Sequence, residues 1–267
     1  MSRSATAVKE TPSIAVVRAL AILDMVAQRA AGLSNSEIAS RIKIPKSSAS
    51  YILRALESAG YVRRDRESGK YHLGLAVVGL GHRALAGLDI REIAQPVLRQ
   101  LVEKSGFSAH LAILDRGRAM YIEKTDSTGF VKMNTWIGRR MDLHSTAVGK
   151  ALSAYLPPET VENIFKGKEL TRCTPQTITT LARLTRELEK VREQGYAIDD
   201  EENSHGVRCI AAPIFNNEGT VEASIGVTSV VTELEKASVP RVAEQVKGAA
   251  RKISQQLGFH GVGHRTV

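Results

Sequence analysis

The chain has 267 residues, 43% of them hydrophobic, a formal charge of +9 and only two cysteines, Cys173 and Cys209. This length predicts two domains, and two cysteines exclude a disulfide framework or an all-cysteine zinc site, which points to a reduced, cytoplasmic protein. No run of ~18 apolar residues and no charged start followed by an apolar core and cleavage site is present, so neither a membrane span nor a secretion signal is expected. Residues 1–74 hold 12 Lys and Arg against 6 acids, leaving 25 against 22 for the remainder. A basic excess at one end is the electrostatic footprint of a polyanion partner.

In chain order, residues 1–12 are polar and aperiodic and read as a disordered arm. A helix follows over Ser13 to Ala31, with Val16, Leu20, Leu23 and Ala27 on one stripe and Gly32 at its end. Ser34 to Gly60 reads as a helix-turn-helix. Ser34 and Glu37 form a capping box, Ile38, Ala39 and Ile42 give the inner face, and Pro45 forces a turn around Lys43 to Lys46. In the second helix, Ala49, Ile52, Leu53 and Leu56 recur at helical spacing and predict a buried stripe. The opposite face carries Ser47, Ser50, Tyr51 and Arg54, groups that reach base edges and phosphates when a helix lies in a major groove. The alternative is a solvated helical hairpin. Gly60 reads as a C-cap, and Val62, Tyr71 and Leu73 alternate with charges around Glu67-Ser68-Gly69, predicting a β-hairpin. A basic hairpin behind a reading helix is a wing, whose Arg63, Arg64, Arg66 and Lys70 face phosphates; otherwise these charges keep an edge strand soluble. Ser36, Lys46, Ser47, Ser48, Ser50, Tyr51, Arg54, Arg63, Arg64 and Lys70 form the expected DNA face.

Residues 75–88, LAVVGLGHRALAGL, read as a linker helix that packs either on its copy in a second subunit or inside its own domain. The first is favoured, because such proteins usually read two half-sites as symmetric dimers. Asp89 caps a further helix that Pro96 kinks or breaks. SAHLAILD, RAMYIEKTD, FVKMNTW and RRMDL then read as antiparallel strands. Helices are expected over Ser145 to Leu156, Glu159 to Gly167, Leu181 to Gly195 and Ser238 to Leu257, with an acidic loop and two strands between the last two. The fold class is therefore α+β.

At this point the chain resembles the IclR family of bacterial transcriptional regulators over about residues 13–260. The matching segments include VRALAILDMVA, LSNSEIASRIKIPKSSASYILRALESAGYVRRD, YHLGLAVVGLG, GRRMDLHSTAVGKALSAYLP and GYAIDDEENSHGVRCIAAPIFN, the last with Gly195, Asp199, Glu202, Cys209 and Asn216 at the family's spacing. The resemblance implies an N-terminal winged helix-turn-helix (13–74), a linker helix (75–88), a C-terminal GAF-like effector-binding domain with an antiparallel sheet (89–260) and a short tail (261–267). It also implies dimers or tetramers on double-stranded operator DNA, with a small-molecule effector that alters operator binding or recruitment of RNA polymerase. Tyr51 stands where the family usually has arginine, and Ser48 where threonine is common. Tyrosine cannot make arginine's bidentate guanine contact, which leaves the operator sequence open.

For the effector site the family layout brings Met133, Thr135 and Trp136 to the mouth. Val207, Cys209, Gly226 and Thr228 lie on facing strands, with Leu143, Ser145, Thr146, Ala147 and Gly149 around a helix start. Asp199 matches a pocket-lining position. An apolar pocket with a few placed polar groups suits a small organic acid or aromatic metabolite. Trp136 is either a pocket wall or core. His144-Ser145-Thr146 reads as a carboxylate cradle at a helix N-terminus or as an ordinary cap. The run Asp199 to Glu202 with His205 invites a metal but is more often solvated or capping, and Cys209 with His144 or His205 invites catalysis but more often is an inert thiol. No metal, cofactor or catalytic residue is expected. The reading is a ligand-responsive transcriptional regulator, more often a repressor. The alternatives are a small-molecule enzyme or metalloprotein with an accessory DNA-binding domain, or a constitutive architectural DNA binder.

Overall fold

A computed structural model describes residues 13–86, 89–129 and 134–259, with the backbone alone at 84–86 and 89. The expected arm, the tail and Met133 lie outside these residues. The chain divides into two compact units, the first ending at Gly87 and the second beginning at Leu88.

In the first unit, three helices, α1 (Ile14–Ala27), α2 (Asn35–Arg41) and α3 (Lys46–Ser58), precede a hairpin, β1 (Val62–Arg64) and β2 (Tyr71–Leu73), and helix α4 (Ala76–Ala86). The capping box forms as the sequence predicts: Ser34 Oγ accepts from Glu37 N at 3.3 Å, and Ser34 N donates to Glu37 Oε2 at 2.8 Å. Lys43 takes the left-handed conformation at φ 53°, and Ile44 N bonds Ala39 O, so the chain reverses before Pro45 opens α3. Ile22, Val26, Leu33, Ile38, Leu53, Val62 and Tyr71 form the core.

Helix α1 corrects one expectation. It is shorter than Ser13 to Ala31 and buries Ile22 and Val26, while Val16 and Leu20, expected inside, are exposed. This helix is apolar nearly all round, so spacing alone offers two stripes and cannot choose between them.

The second unit is a six-stranded antiparallel sheet in the order β5-β4-β3-β8-β7-β6. Its strands are β3 (Ser108–Asp115), β4 (Arg118–Thr125), β5 (Arg140–Met141), β6 (Ala197–Asp200), β7 (Val207–Phe215) and β8 (Val221–Val230). Helices α5 (Asp89–Ser105) and α9 (Val239–Gln256) pack together on one face. The short helix α6 (Ala147–Ser153) covers the other, backed by α7 (Pro158–Phe165) and α8 (Leu181–Gln194). Alternation assigns the faces: Ala109 and Leu111 belong to the α5/α9 side, His110 and Ala112 to the α6 side.

The strand expected at FVKMNTW is not found over residues 134–136, and RRMDL contributes only Arg140–Met141. Gly138, at φ 89°, donates to Tyr121 O, and the Arg139 guanidinium lies 4.9 Å over the Trp136 ring. These contacts turn the segment into a loop against β4.

Gly149, expected to serve the ligand, is a packing residue. A Cβ there would stand 2.5 Å from Leu143 Cα and 2.7 Å from the Asp142 carbonyl oxygen. Gly149→Ala is therefore expected to lower unfolding stability by about 2–3 kcal/mol in urea denaturation. Gly248→Ala on α9, where nothing lies within 4 Å of the added carbon, should be neutral or slightly stabilising.

Candidate functional site: a reading helix and a cavity

Helix α3 buries Ala49 and Leu53 and turns Lys46, Ser47, Tyr51 and Arg54 outward. Tyr51 is 72% exposed, although a phenol ring usually finds cover. Ser36 is exposed on α2, and Ser48 and Ser50 are half-buried at the edge of the reading face. In the wing, Arg63 is free to solvent. Arg64 donates from Nε to Gly69 O at 3.2 Å and lies 5.8 Å over Tyr71, so part of its donor fork is committed to the hairpin. Lys70 is half-buried. Asp65 closes the hairpin by accepting from Ser68 N and Oγ, which holds its carboxyl below the usual range.

The second unit holds a part-open cavity of about 220 Å³ between the sheet and the start of α6. Strand register builds its floor. Asp199, Cys209 and Thr228 pair directly across β6, β7 and β8, and Ala211, Gly226 and His110 form the next rung across β7, β8 and β3. The second rung is small in its middle, which makes the hollow. A Cβ on Gly226 would stand 2.7 Å from Ile210 O, so this rung cannot thicken without moving backbone.

Of the residues expected from sequence, Thr135, Thr146, Ala147, Asp199, Val207, Cys209, Gly226 and Thr228 line the cavity. Trp136 does not: it is 54% exposed beneath Arg139. Leu143 is core, and Ser145 is fully buried without lining the cavity. Thr146 Oγ1 caps α6 by accepting from Gly149 N at 3.1 Å, so this segment acts as an ordinary cap on a helix of seven residues. His110, Tyr121, Asn134, Arg139, Met141, Val148, Asn203, Ser204, Ile210 and Val227 complete the wall. The period-two alternation of SAHLAILD marks His110 as facing α6; no sequence signal marks Arg139 or Asn203, which reach the cavity from loops.

The acidic run disperses instead of converging. Asp200 pairs with Arg208 at 2.6 Å and Lys236 at 3.1 Å, Glu201 accepts from Gly206 N, and Glu202 takes Lys150 at 2.5 Å. His205 is exposed. Among the described residues no group of three His, Cys, Asp or Glu is placed to hold a metal. Burial pushes the Cys209 thiol well up, and Thr228 Oγ1 donates to its sulfur at 3.3 Å, while His144 bonds Thr171 O. A thiol kept protonated is a poor nucleophile.

Asp199 is the exception in that run. It is almost completely buried, and its Oδ1 accepts from Glu202 N at 2.8 Å and Asn203 N at 3.2 Å. Burial pushes its carboxyl up to about 7, against the opposing pull of the Asn203 amide and Lys150. At neutral pH it can therefore donate to or accept from a ligand.

An exposed polar helix on a winged unit, joined in one chain to a part-open cavity of mixed polar and apolar lining, defines a DNA-binding protein that senses a small molecule. Residues 15–66 match the IclR helix-turn-helix domain and residues 82–255 match the family described as bacterial transcriptional regulator IclR C-terminal. The chain is 36% identical over 244 residues to the HTH-type transcriptional regulator XynR of Escherichia coli K12, covering 91% of this chain and 97% of that one. The crystal structure of Thermotoga maritima IclR superposes with a TM-score of 0.74 at 32% identity, covering 91% and 98% of the two chains. An IclR homologue from Microbacterium hydrocarbonoxydans, complexed with 4-hydroxybenzoate, gives 0.77 at 25% identity over 91% and 98%. The chain belongs to the IclR family of bacterial transcriptional regulators. It is an effector-binding regulator of transcription with an N-terminal DNA-binding domain, in a family whose members are regulators and not enzymes.

The Asp199 carboxyl yields a pH prediction. Its folded value lies above its unfolded value of 3.8, so between about pH 4 and 7 the folded chain holds a proton that the unfolded chain has released. Its contribution to stability is therefore greatest below that window and is lost as pH rises through it. At ~1.4 kcal/mol per pH unit the loss is a few kcal/mol. Asp199→Asn keeps an oxygen for the two amides and is expected to flatten the fall in urea-unfolding stability between pH 5 and pH 8; equal slopes for both proteins would contradict the assignment.

Proposed function

We propose that this regulator is a repressor, acting as a homodimer or larger homo-oligomer in the bacterial cytoplasm, whose operator affinity is set by a small organic acid held in the second unit's cavity. The exposed face of α3 carries the DNA half of this reading. In this reading Lys46 at its start and Arg63 in the wing serve as phosphate contacts, and Ser47, Tyr51 and Arg54 as groups for the groove.

Uncovered apolar surface supports self-association. Ile14, Val16, Val17 and Leu20 on α1 are each more than half exposed, as are Leu75, Val78 and Leu80 at α4. An isolated exposed apolar residue needs no explanation, but seven large ones on or beside two helices of one small unit mark a surface that a second copy would cover. Symmetric pairing also presents two reading helices to two half-sites.

For the effector, Arg139 is the only Lys or Arg among the described residues that line the cavity; its guanidinium donates to the Asn134 carbonyl and lies over Trp136, and no carboxylate is paired with it among the described residues. A cavity of about 220 Å³ equals about seven water volumes at ~30 Å³ each, which suits a compact metabolite. A monoanion fits a cavity whose lining includes one arginine and a carboxyl that readily carries a proton.

Lys46→Ala and Arg63→Ala should weaken binding to all DNA sequences alike, each lowering the slope of log K against log salt by about one. Loss confined to one base position would reject the phosphate role. Tyr51→Ala should instead change operator preference. Leu20→Glu combined with Val78→Glu should give monomers in sedimentation and weaken operator binding at least tenfold through loss of the paired half-site contact; a dimer unaffected by both charges would place the interface elsewhere.

A further inference from the structure

Asp199 stands in the cavity wall with only 2% of its surface exposed. Its Oδ1 accepts from the amides of Glu202 and Asn203, which are neutral donors. The groups packed around it supply no uncommitted positive charge. From α6, Lys150 is bonded to Glu202 at 2.5 Å and lies 3.7 Å from Glu187 of α8, so that ammonium already serves two carboxylates. Across the ladder on β7, Cys209 carries a thiol that burial keeps protonated, while Arg208 pairs with Asp200. Burial likewise raises the Tyr121 phenol on β4 and the Cys173 thiol in the loop before α8. On β3, the His110 imidazole stacks on Tyr121 at 4.5 Å and meets Thr135 Oγ1 at 2.7 Å, and burial holds its value down at about 3. His144, ahead of α6, is bonded to Thr171 O.

Resting on the reading of this cavity as a site for a small organic acid, we propose that the acid's carboxylate is bound together with one proton from solvent, which is taken up at Asp199. The cavity then reads acid concentration and pH jointly.

The dimensions force the two carboxyl groups to interact. Taken as round, a space of about 220 Å³ is ~7–8 Å across, so an anion anywhere inside it lies close to Asp199. At an effective dielectric of ~20, like charges at that separation change proton affinity by well over tenfold. Two carboxylates sharing one poorly hydrated space therefore keep a proton between them. It belongs on Asp199, because burial alone already brings that carboxyl to about 7, whereas Arg139 in the lining favours the ligand's ionised form. The neighbours are poor alternatives: both thiols and the phenol already hold their protons, the His110 value is too low, and Glu202 has the Lys150 ammonium against it. At pH 7 about half of the unbound molecules carry the Asp199 proton and nearly all of the bound ones do, so binding takes up about half a proton. At pH 8 it takes up most of one, and at pH 5 almost none.

Calorimetry of the full chain with acetate, propionate, lactate and benzoate counts the protons directly when each titration is run in phosphate and in Tris, whose heats of ionisation differ. All four acids are ionised in solution between pH 6 and pH 8, so a proton taken up belongs to the complex. For an acid that binds at pH 6, the wild type is expected to show the uptake given above and a Kd that rises about tenfold between pH 6 and pH 8. The acid concentration giving half of the operator response should rise by the same factor. Asp199→Asn keeps an oxygen for the two amides and should bind the same acid with no proton uptake and one Kd at both pH values. Asp199→Ser removes the same carboxyl and guards against a folding defect in the asparagine variant. His205→Gln, which removes an exposed imidazole outside the cavity lining, should leave the uptake unchanged. Binding without uptake at pH 7 and pH 8, uptake that persists in both Asp199 variants, or uptake lost in His205→Gln would overturn the coupling and leave the acid site standing. If no carboxylate binds the wild type at pH 6, the acid-binding reading fails and the proposal falls with it.

Discussion

A lysine with no exposed surface has to be neutralised where it stands, and in this chain that constraint fixes a wall of the second unit's cavity. Lys150, on α6, is fully buried and bonds Glu202 at 2.5 Å, with Glu187 of α8 at 3.7 Å. Removing one partner of a buried pair typically destabilises by about 3–5 kcal/mol, because an uncompensated charge remains inside. Glu202 therefore cannot drift, and its backbone is pinned from two further directions: its amide to Asp199 and its carbonyl to Thr177, at 2.6 Å. Asn203 and Ser204, the next two residues, line the cavity. The loop that carries them is thus rigid for electrostatic reasons, and Asp199 inherits its buried position from the same knot. Burial in turn raises the carboxyls of both Asp199 and Glu202, with the Lys150 charge opposing it in each case.

How legible this was in the sequence follows from how local each signal is. The capping box at Ser34 and Glu37, the turn before Pro45 and the stripe through Ala49 and Leu53 are decided within a few residues, and the structure contains all three. Helix α8, with Leu184, Leu188 and Val191 inside and Gly195 at φ 78° as its cap, was equally readable. In α1 the apolar pattern covers two stripes, and only the partners present in the fold choose Ile22 and Val26 over Val16 and Leu20.

The cavity divides along the same line. Asp199, Cys209, Gly226 and Thr228 came from the family spacing, and register explains why they belong together: they occupy adjacent rungs of three neighbouring strands. Trp136, Leu143 and Gly149 sit close to this wall in sequence, but their side chains or backbones serve solvent, core and helix packing. Arg139 and Asn203 reach the cavity through loop conformations that no periodicity encodes. Lys150 was the least legible, since a lysine at a core position contradicts the hydrophobic pattern unless its distant partner, Glu202, is known.

Tight binding in such a cavity would not by itself regulate anything. A ligand shifts an equilibrium only by the difference in its affinity for the states involved, and the operator changes the ligand's affinity by the same factor. A soft cavity would adapt to its occupant in every state and dissipate that difference. Here the floor cannot thicken at Gly226, the imidazole is clamped between Thr135 and Tyr121, and the Glu202 loop is tied to a buried cation. A wall with so little freedom must either fit the effector or be strained by it. In the proposed reading, that dependence on shape would let occupancy favour one arrangement of the protein over another, and so would place the selectivity of the response and its strength in the same few contacts.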